Sequence, residues 1–356
     1  MEDLGISIHQ PLSDNARKLI LRDHWHIGLS DQELHQIYPN YKCYFDHYEK
    51  LCQQCSINDL GQLRHCDILD AFDRILLQTW AACFAQLKGL ALAFTAPFNA
   101  PKDIDDFVET WIRFTAESLL LVDVATWSGL QTLKAFLRTD QFPTSTVDET
   151  GYLPRKFHAR NLDKIGGLHV RWTNLLSEHL VLENDNTQVA IFHQDNALAL
   201  FLHWYAISNI SICLLDVTFV FSDLFPDGLL EETRRTLDIL LPRFSPETTR
   251  WFRSQTRSNW WAFQKTAYHI DQDCATSNIL KNEQRRIITF SYFRDRLIVL
   301  KEEYDAHTPQ NIKECWHDYR KPAQWWAFWV AVFVFIFALS QVVEGAIQCY
   351  KAYHPS

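Results

Sequence analysis

The sequence predicts a mostly α-helical protein, in which a helical cytosolic body with a small α+β hairpin element precedes one C-terminal transmembrane helix. Three observations predict this fold class. Long stretches of the body carry apolar residues at helical spacing, a short segment of strand character surrounds an Asn-Asp-Asn turn, and one uncharged run is long enough to cross a bilayer. With 47% hydrophobic and 22% charged residues, the chain has the composition of a folded globular protein.

The first half of the body, residues 1–145, is predicted to be helical. Apolar residues recur at helical spacing over 67–98 and stop at Pro97. The following stretch has acidic residues in its first turns and basic residues at its end, as the helix dipole favours. Residues 146–160 are polar and rich in turn formers, so they are predicted to be a linker between two regions.

The second region, 161–320, is also predicted to be mainly helical, with helices over 170–180, 225–242 and 288–307. A β-hairpin is predicted near 181–193, around the turn at Asn184. The stretch 196–215 contains no charge, and three interpretations stay open for it: a core helix, a second span, or an artefact of the gene model such as a retained intron.

The uncharged run from Ala323 to Val343 has 21 residues, and about 20 are needed to cross a hydrocarbon core of roughly 30 Å. We predict a transmembrane helix over 323–347, followed by a short tail over 348–356. The membrane-interface residues would be aromatic, with three tryptophans at one headgroup level and a tyrosine beyond the other. They are Trp325, Trp326, Trp329 and Tyr350.

The flanks of this run predict its orientation. Arg320 and Lys321 precede it and only Lys351 follows it, so the positive-inside bias places the body in the cytosol. The first residues are acidic and then polar, without the apolar core of a signal peptide. The sequence therefore predicts a single-pass anchor of the tail-anchored kind, in the endoplasmic reticulum or another endomembrane rather than the mitochondrial outer membrane.

Small residues recur along the predicted span. Ala331, Ala338 and Gly345 are seven residues apart, and Gln341 lies between them. Small residues let transmembrane helices approach closely, and a buried Gln can hydrogen-bond across the contact. This pattern predicts self-association of the helix; chance spacing in a span that contains alanines is the alternative.

Four residues of the first region suggest a zinc site: Cys43, Cys52, Cys55 and His65. Cys52 and Cys55 have the two-residue separation of zinc ligands, whereas the second pair, His65-Cys66, is poorly spaced for a known finger. The alternative is that these cysteines are packed as small apolar groups. Apart from zinc, the sequence predicts no cofactor.

Several function classes are disfavoured. The formal net charge of −9 argues against nucleic-acid binding, since such proteins display a basic face. The sequence contains no GxSxG, HExxH, GxxxxGK[ST] or GxGxxG motif, which leans against an enzyme and assigns no residue a catalytic role.

Four segments carry a resemblance: RWTNLLSEHLVLENDNTQVAIFH, LFPDGLLEETRRTLDILLP, FRDRLIVLKEEYDAHTPQ, and WWAFWVAVFVFIFAL with EGAIQCYKAY. In this order they are similar to a large uncharacterised family of membrane-anchored proteins of filamentous fungi. The similarity covers roughly residues 168–353, and it implies architecture and origin rather than an activity. Between the first two segments this chain is longer than the family pattern, which is where the stretch 196–215 lies.

These observations favour a scaffold, interaction or signalling component at an intracellular membrane, with the lipid bilayer, a second copy and further proteins as partners. One alternative is a membrane-tethered enzyme of fungal specialised metabolism whose site no motif reveals. A second alternative is a two-span channel or transporter component, which would require 196–215 to cross the membrane as well.

Overall fold

The computed structural model describes residues 2–25, 41–55, 60–93, 101–210, 224–242, 245–256, 270, 271, 274, 280–307 and 322–353. These residues form twelve α-helices and one three-stranded sheet, which confirms the predicted fold class. The helices are α1 (Asp14–Leu19), α2 (Lys42–Gln54), α3 (His65–Leu77), α4 (Trp80–Ala91), α5 (Pro101–Thr115), α6 (Leu133–Phe136), α7 (Ala159–Lys164), α8 (Asp195–Ile210), α9 (Leu229–Leu240), α10 (Pro246–Thr256), α11 (Arg294–Ala306) and α12 (Pro322–Tyr353).

Several helices begin at a residue that caps them. The hydroxyls of Ser13, Thr79 and Thr132 accept a hydrogen bond from a backbone N–H in the first turn of α1, α4 and α6. Helices α1, α5 and α6 each continue into a wider π turn, at Ile20–His24, Ala116–Leu120 and Leu137–Gln141 respectively. Helix α5 packs against α3 and α4, and together they bury an apolar layer that includes Trp111 and Phe72.

The sheet has the strand order β1-β3-β2, with β1 at His169–Thr173, β2 at Leu182–Glu183 and β3 at Gln188–Phe192. Strands β2 and β3 are antiparallel and form the predicted hairpin. Its turn residues Asn184, Asp185 and Asn186 have positive φ angles of 52°, 55° and 60°. Asn and Asp tolerate this left-handed conformation better than other non-glycine residues.

The predicted helix over 170–180 is wrong, because this segment contains β1 and a 3-10 turn at Leu176–Glu178. Strand β1 pairs in parallel with β3, so that His169 lies opposite Gln188 and Thr173 opposite Phe192. Val170, Trp172 and Thr173 are residue types that favour strands. The apolar spacing within this segment is also compatible with a helix. The parallel partner strand, whose hydrogen bonds make the segment a strand, lies 19 residues further along the chain.

One apolar core extends from the first helices to α11 and includes residues on both sides of 146–160. Within that predicted linker, Leu153 and Phe157 are fully buried. The backbone N–H of Leu153 donates to the carbonyl of Arg285 at 2.9 Å, and that of Ser145 to the carbonyl of Ser291 at 2.8 Å. This segment is therefore packed against the turns that precede α11.

The described part of the uncharged stretch 196–215 belongs to α8. Ala197, Leu198, Leu200 and Phe201 are all buried in the core. The Phe201 ring lies 5.5 Å from the ring of Trp25, between centroids. The start of the stretch therefore packs in the core, the helix continues to Ile210, and residues 211–215 lie outside the described residues.

A buried carboxylate joins α9 to α11. Glu232 of α9 is 5% exposed and accepts three backbone hydrogen bonds from residues just before or at the start of α11. The N–H groups are those of Ser291 at 2.6 Å, Tyr292 at 2.9 Å and Phe293 at 2.7 Å. A carboxylate placed here also faces the positive end of the α11 dipole.

We predict that Glu232→Ala lowers the free energy of unfolding by about 3 kcal/mol, since it leaves three backbone donors without their acceptor. Glu231→Ala is the matched control, because Glu231 is exposed on the same helix, and it should change stability by less than about 0.5 kcal/mol. Denaturant unfolding of the full chain in detergent measures both. Equal effects of the two substitutions would contradict the role assigned to Glu232.

Candidate functional site

Helix α12 is the one helix in the described part of the chain that is long and apolar enough to cross a membrane. Its apolar portion, Trp325–Tyr350, has 26 residues, and none of it is buried against the body. Its large apolar side chains are instead exposed on all sides; Phe337 and Val342, for example, are each 68% exposed. A surface of this size and character on a folded protein indicates contact with lipid or with another protein.

The predicted membrane-interface residues lie at the two ends of α12. The ring centroid of Trp325 is 5.2 Å from that of Trp326 and 5.9 Å from that of Trp329, so the three form one aromatic cluster. Tyr350 is exposed at the other end. At 1.5 Å per residue, Trp326 and Tyr350 are about 36 Å apart along the axis, which matches the distance between the two interfaces of a bilayer.

The predicted association residues Ala331, Ala338, Gln341 and Gly345 follow one face of α12, because seven residues correspond to almost two turns. A side chain added at Gly345 would meet no atom within 4 Å, so this face is open. Self-association through it stays a prediction.

The predicted zinc residues are divided between two helices. Cys43 and Cys52 lie on α2, Cys55 follows its last turn, and His65 begins α3. The hydroxyl of Tyr48 lies 2.9 Å from Nδ1 of His65, and the carbonyl of Gln10 lies 3.0 Å from Nε2, so both ring nitrogens have a partner.

Burial raises the pKa of the Cys52 thiol to about 12, which disfavours the thiolate that zinc requires. Within the described residues, no three His, Cys, Asp or Glu side chains are grouped so as to hold a metal. The zinc site stays a prediction of the spacing alone.

A cleft of about 280 Å³ lies between α2, the turn after α5 and the carboxyl end of β1. We call it the histidine cleft, and we define it by His47 and Lys50 of α2, Glu117, the segment 171–175, and Glu178. Parallel strands end at the same edge of a sheet, so the residues after β1 and after β3 come together there. The side chain of Gln194 donates to the Oδ1 of Asn174 at 2.8 Å across this edge.

Two histidines are neutral at physiological pH: His47, which lines the cleft, and His193, which follows β3. Burial, followed by the positive charge of Lys50, lowers the pKa of His47 to about 4. Burial, followed by the nearby His47, lowers the pKa of His193 to about 3. The backbone N–H of Asp271 donates to Nδ1 of His193 at 3.3 Å, so the neutral ring carries its proton on Nε2.

Four buried polar atoms at or behind the cleft have no hydrogen-bond partner among the described residues. They are Nε2 of His47, Nε1 of Trp172, Nε2 of His193 and Oε1 of Gln194. The Trp172 ring lies 6.4 Å from the His193 ring, edge to face, so two of these four groups are neighbours. Most buried polar groups in folded proteins are paired, so a cluster of unpaired ones indicates a site that is completed by something else.

The charged residues of the cleft are partly paired with one another. Arg171 is bound by Glu178 at 3.0 Å and by Glu183 at 2.5 Å, and the hydroxyl of Thr173 also donates to Glu178. Burial raises the pKa of Glu117, and the nearby Asp123 raises it further. Lys50 also lines the cleft, and its positive charge contributes to the lowered pKa of both His47 and His193.

The sequence did not predict this cleft. One sequence feature could have indicated it: each of two segments with strand-forming residues is followed directly by polar residues. These are Asn174 after β1 and His193-Gln194 after β3. Because 170–180 was interpreted as a helix, the common edge of the two strands could not be recognised.

Comparison with known proteins gives no relative: no family model, no curated protein and no solved structure matches the chain.

We predict that acid destabilises the protein through its buried histidines. Burial is the main cause that lowers the pKa of His47 and His158 to about 4, and of His179 and His193 to about 3. The unfolded chain binds these protons at a pKa of about 6.5, so the free energy of unfolding falls as the pH falls below that value. Each histidine contributes about 1.4 kcal/mol per pH unit until the pH reaches its folded pKa.

Unfolding free energies measured between pH 7 and pH 4 test this prediction. His179→Asn should reduce the slope by about one proton. A stability that does not depend on pH over this range would show that these histidines are protonated in the folded protein.

Proposed function

We propose that the protein is a single-pass membrane protein of the endoplasmic reticulum or another endomembrane, with its body in the cytosol. The observation that carries the proposal is α12: a continuous apolar helix with a tryptophan cluster at one end, a tyrosine at the other, and no burial against the body. The pair Arg320 and Lys321 before the helix supports the orientation.

The role that we propose for the body is that of a scaffold or signalling component, which presents a binding surface at that membrane. The body has its own apolar core of helices and a small sheet, so it can hold a surface in a fixed shape. The proposed partners are the bilayer, a second copy through α12, and proteins of the same membrane. The four quoted segments support membership of the fungal membrane-anchored family as a further part of this proposal.

A second candidate is a membrane-tethered enzyme of specialised metabolism. The histidine cleft favours it, because neutral histidines and unpaired polar atoms in a cavity are features of ligand sites. A channel or transporter has less support, since Ala197, Leu198, Leu200 and Phe201, at the start of 196–215, are buried in the core.

The experiment compares the full chain with a version that ends at Lys321, each with an N-terminal proximity-labelling tag. The full chain should pellet with membranes and resist alkaline extraction, and the truncated chain should be released. Protein neighbours that are lost on truncation would support the scaffold. If the full chain is extracted at alkaline pH, the anchor is wrong; if it stays but has no specific neighbours, the scaffold is wrong and the enzyme is favoured.

We predict that Gln341→Leu leaves membrane insertion intact and weakens self-association of the helix, because it removes a side chain that hydrogen-bonds between helices. Such bonds contribute about 1 kcal/mol in a bilayer, so the association constant of the helix should fall about fivefold. Val343→Leu is the control, since Val343 is exposed on the opposite face of the helix from Gly345. A two-hybrid assay for transmembrane helices measures the change, and equal association of both variants would contradict the predicted interface.

A further inference from the structure

We propose that one face of α12 binds a transmembrane helix of another protein, and that this helix carries a lysine or an arginine at the depth of Glu344. The face consists of Gln341, Glu344 and Gln348, and we call it the polar face. It requires α12 to cross a bilayer, so its role rests on the proposed function. It adds a different protein to the second copy that is already proposed as a partner of this helix.

The three residues of the polar face are neighbours on the surface of α12. Gln341, Glu344 and Gln348 are separated by three and by four residues, which is the spacing of side chains that lie next to each other on a helix. At about 100° per residue, they fall within an arc of about 60°. All three are exposed, and the span is not buried against the body. The polar face is therefore open to a neighbour in the membrane.

Glu344 lies inside the apolar layer of the membrane. If Trp326 and Tyr350 mark the two interfaces, Glu344 is six residues, or about 9 Å, inside the interface at Tyr350. Helical side chains lean toward the N-terminus of their helix, so the carboxyl group leans away from this nearer interface. A glutamate also lacks the long side chain with which lysine and arginine reach an interface. Ionisable residues placed in this way almost always have a partner.

The helix itself does not supply that partner. The hydroxyl of Ser340, in the same region, donates to the carbonyl of Phe337 at 2.8 Å and is satisfied within α12. An ionised carboxyl group can only accept, and the N–H groups inside a helix already donate to its carbonyls, so Glu344 cannot be satisfied in this way. Lys351 is seven residues further along, beyond the three- or four-residue spacing of helical ion pairs.

The charge of Glu344 selects a basic residue on a different helix. Two copies of a single-pass anchor are parallel, so Glu344 of one copy would lie at the depth of Glu344 of the other, and like charges repel. Gly345, on the predicted association face, is about 100° from Glu344 around the axis, so a second copy bound there leaves Glu344 uncovered. A lysine or arginine balances the carboxyl group, and the amides of Gln341 and Gln348 can hydrogen-bond to the same helix.

The test uses the full chain and tail-anchored probes, each with a fluorescent protein on its cytosolic side. The probes are leucine-rich spans with lysine, leucine or glutamate 18 residues after an interfacial tryptophan, which is the position of Glu344 relative to Trp326. Energy transfer in microsomes measures association. We expect the lysine probe to associate at least about tenfold more strongly than the leucine probe, because a hydrogen bond to a charged group adds to the contact. The glutamate probe should not exceed the leucine probe.

Two variants locate the interaction on the polar face. Glu344→Gln should lower the association of the lysine probe about tenfold, to the level of the leucine probe. The control combines Glu344→Gln with Ala346→Glu, which returns a carboxyl group at almost the same depth but about 200° around the helix. It should not restore binding, because the carboxyl group is then separated from the two amides.

Photo-crosslinking in the native membrane identifies the natural partner. A photoreactive aromatic residue replaces either Phe337, one turn before Gln341 on the polar side, or Leu339, on the opposite side. We expect a protein adduct from position 337 alone, and its loss in Glu344→Gln. The span of the captured protein should contain a lysine or arginine near the interface at which Tyr350 lies, and exchanging the two charges between the partners should restore the adduct.

Alkaline extraction of the full chain separates this inference from the proposed function. If the chain is extracted, both are wrong. If it stays in the membrane, the polar face alone is overturned by equal association of the lysine and leucine probes, by unchanged association in Glu344→Gln, or by restoration with Ala346→Glu. Adducts with lipid only, no adduct, or adducts with a span that has no basic residue would also overturn the basic partner.

Discussion

The parallel pairing of β1 with β3 is the contact on which the arrangement of the body depends. Parallel neighbours cannot be joined by a tight turn, so the chain leaves Thr173 and returns at Gln188 through a crossover. That crossover contains the 3-10 turn Leu176–Glu178 and strand β2. Strand β2 pairs with the other side of β3 and is an edge strand of the sheet. The two parallel strands, β1 and β3, then end at the same side of the sheet, and the histidine cleft is formed where this side meets α2.

The same residue types serve two different environments in this chain. In the body, aromatic side chains such as Trp25 and Phe201 contact one another in a core that excludes water. In α12, phenylalanines and tryptophans have no such neighbours in the body and remain exposed. The hydrophobic effect stabilises both arrangements, since about 25 cal/mol is gained for each Å² of apolar surface removed from water, whether protein or lipid covers it.

The sequence could predict the parts of this structure that depend on local pattern. The hairpin turn at Asn184 and the apolar helix α12 were predicted because each has its signal within a few neighbouring residues. Strand β1 was mistaken for a helix because its partner is distant, and the cleft was missed for the same reason. His65 shows a second limit of local pattern. The sequence offers it as a possible metal ligand, whereas the partners of its two ring nitrogens, Gln10 and Tyr48, are brought to it only by the folded chain.

The length of α12 has a consequence of its own. Its residues from Trp325 to Tyr350, which include the charged Glu344, extend over about 39 Å, whereas the hydrocarbon layer of an average bilayer is about 30 Å thick. A helix that is longer than this layer can lower the mismatch by tilting. Thicker, sterol-rich membranes would reduce that tilt. In a cell whose membranes differ in thickness, the geometry of the span would thus act as a sorting signal, independently of anything that the body binds.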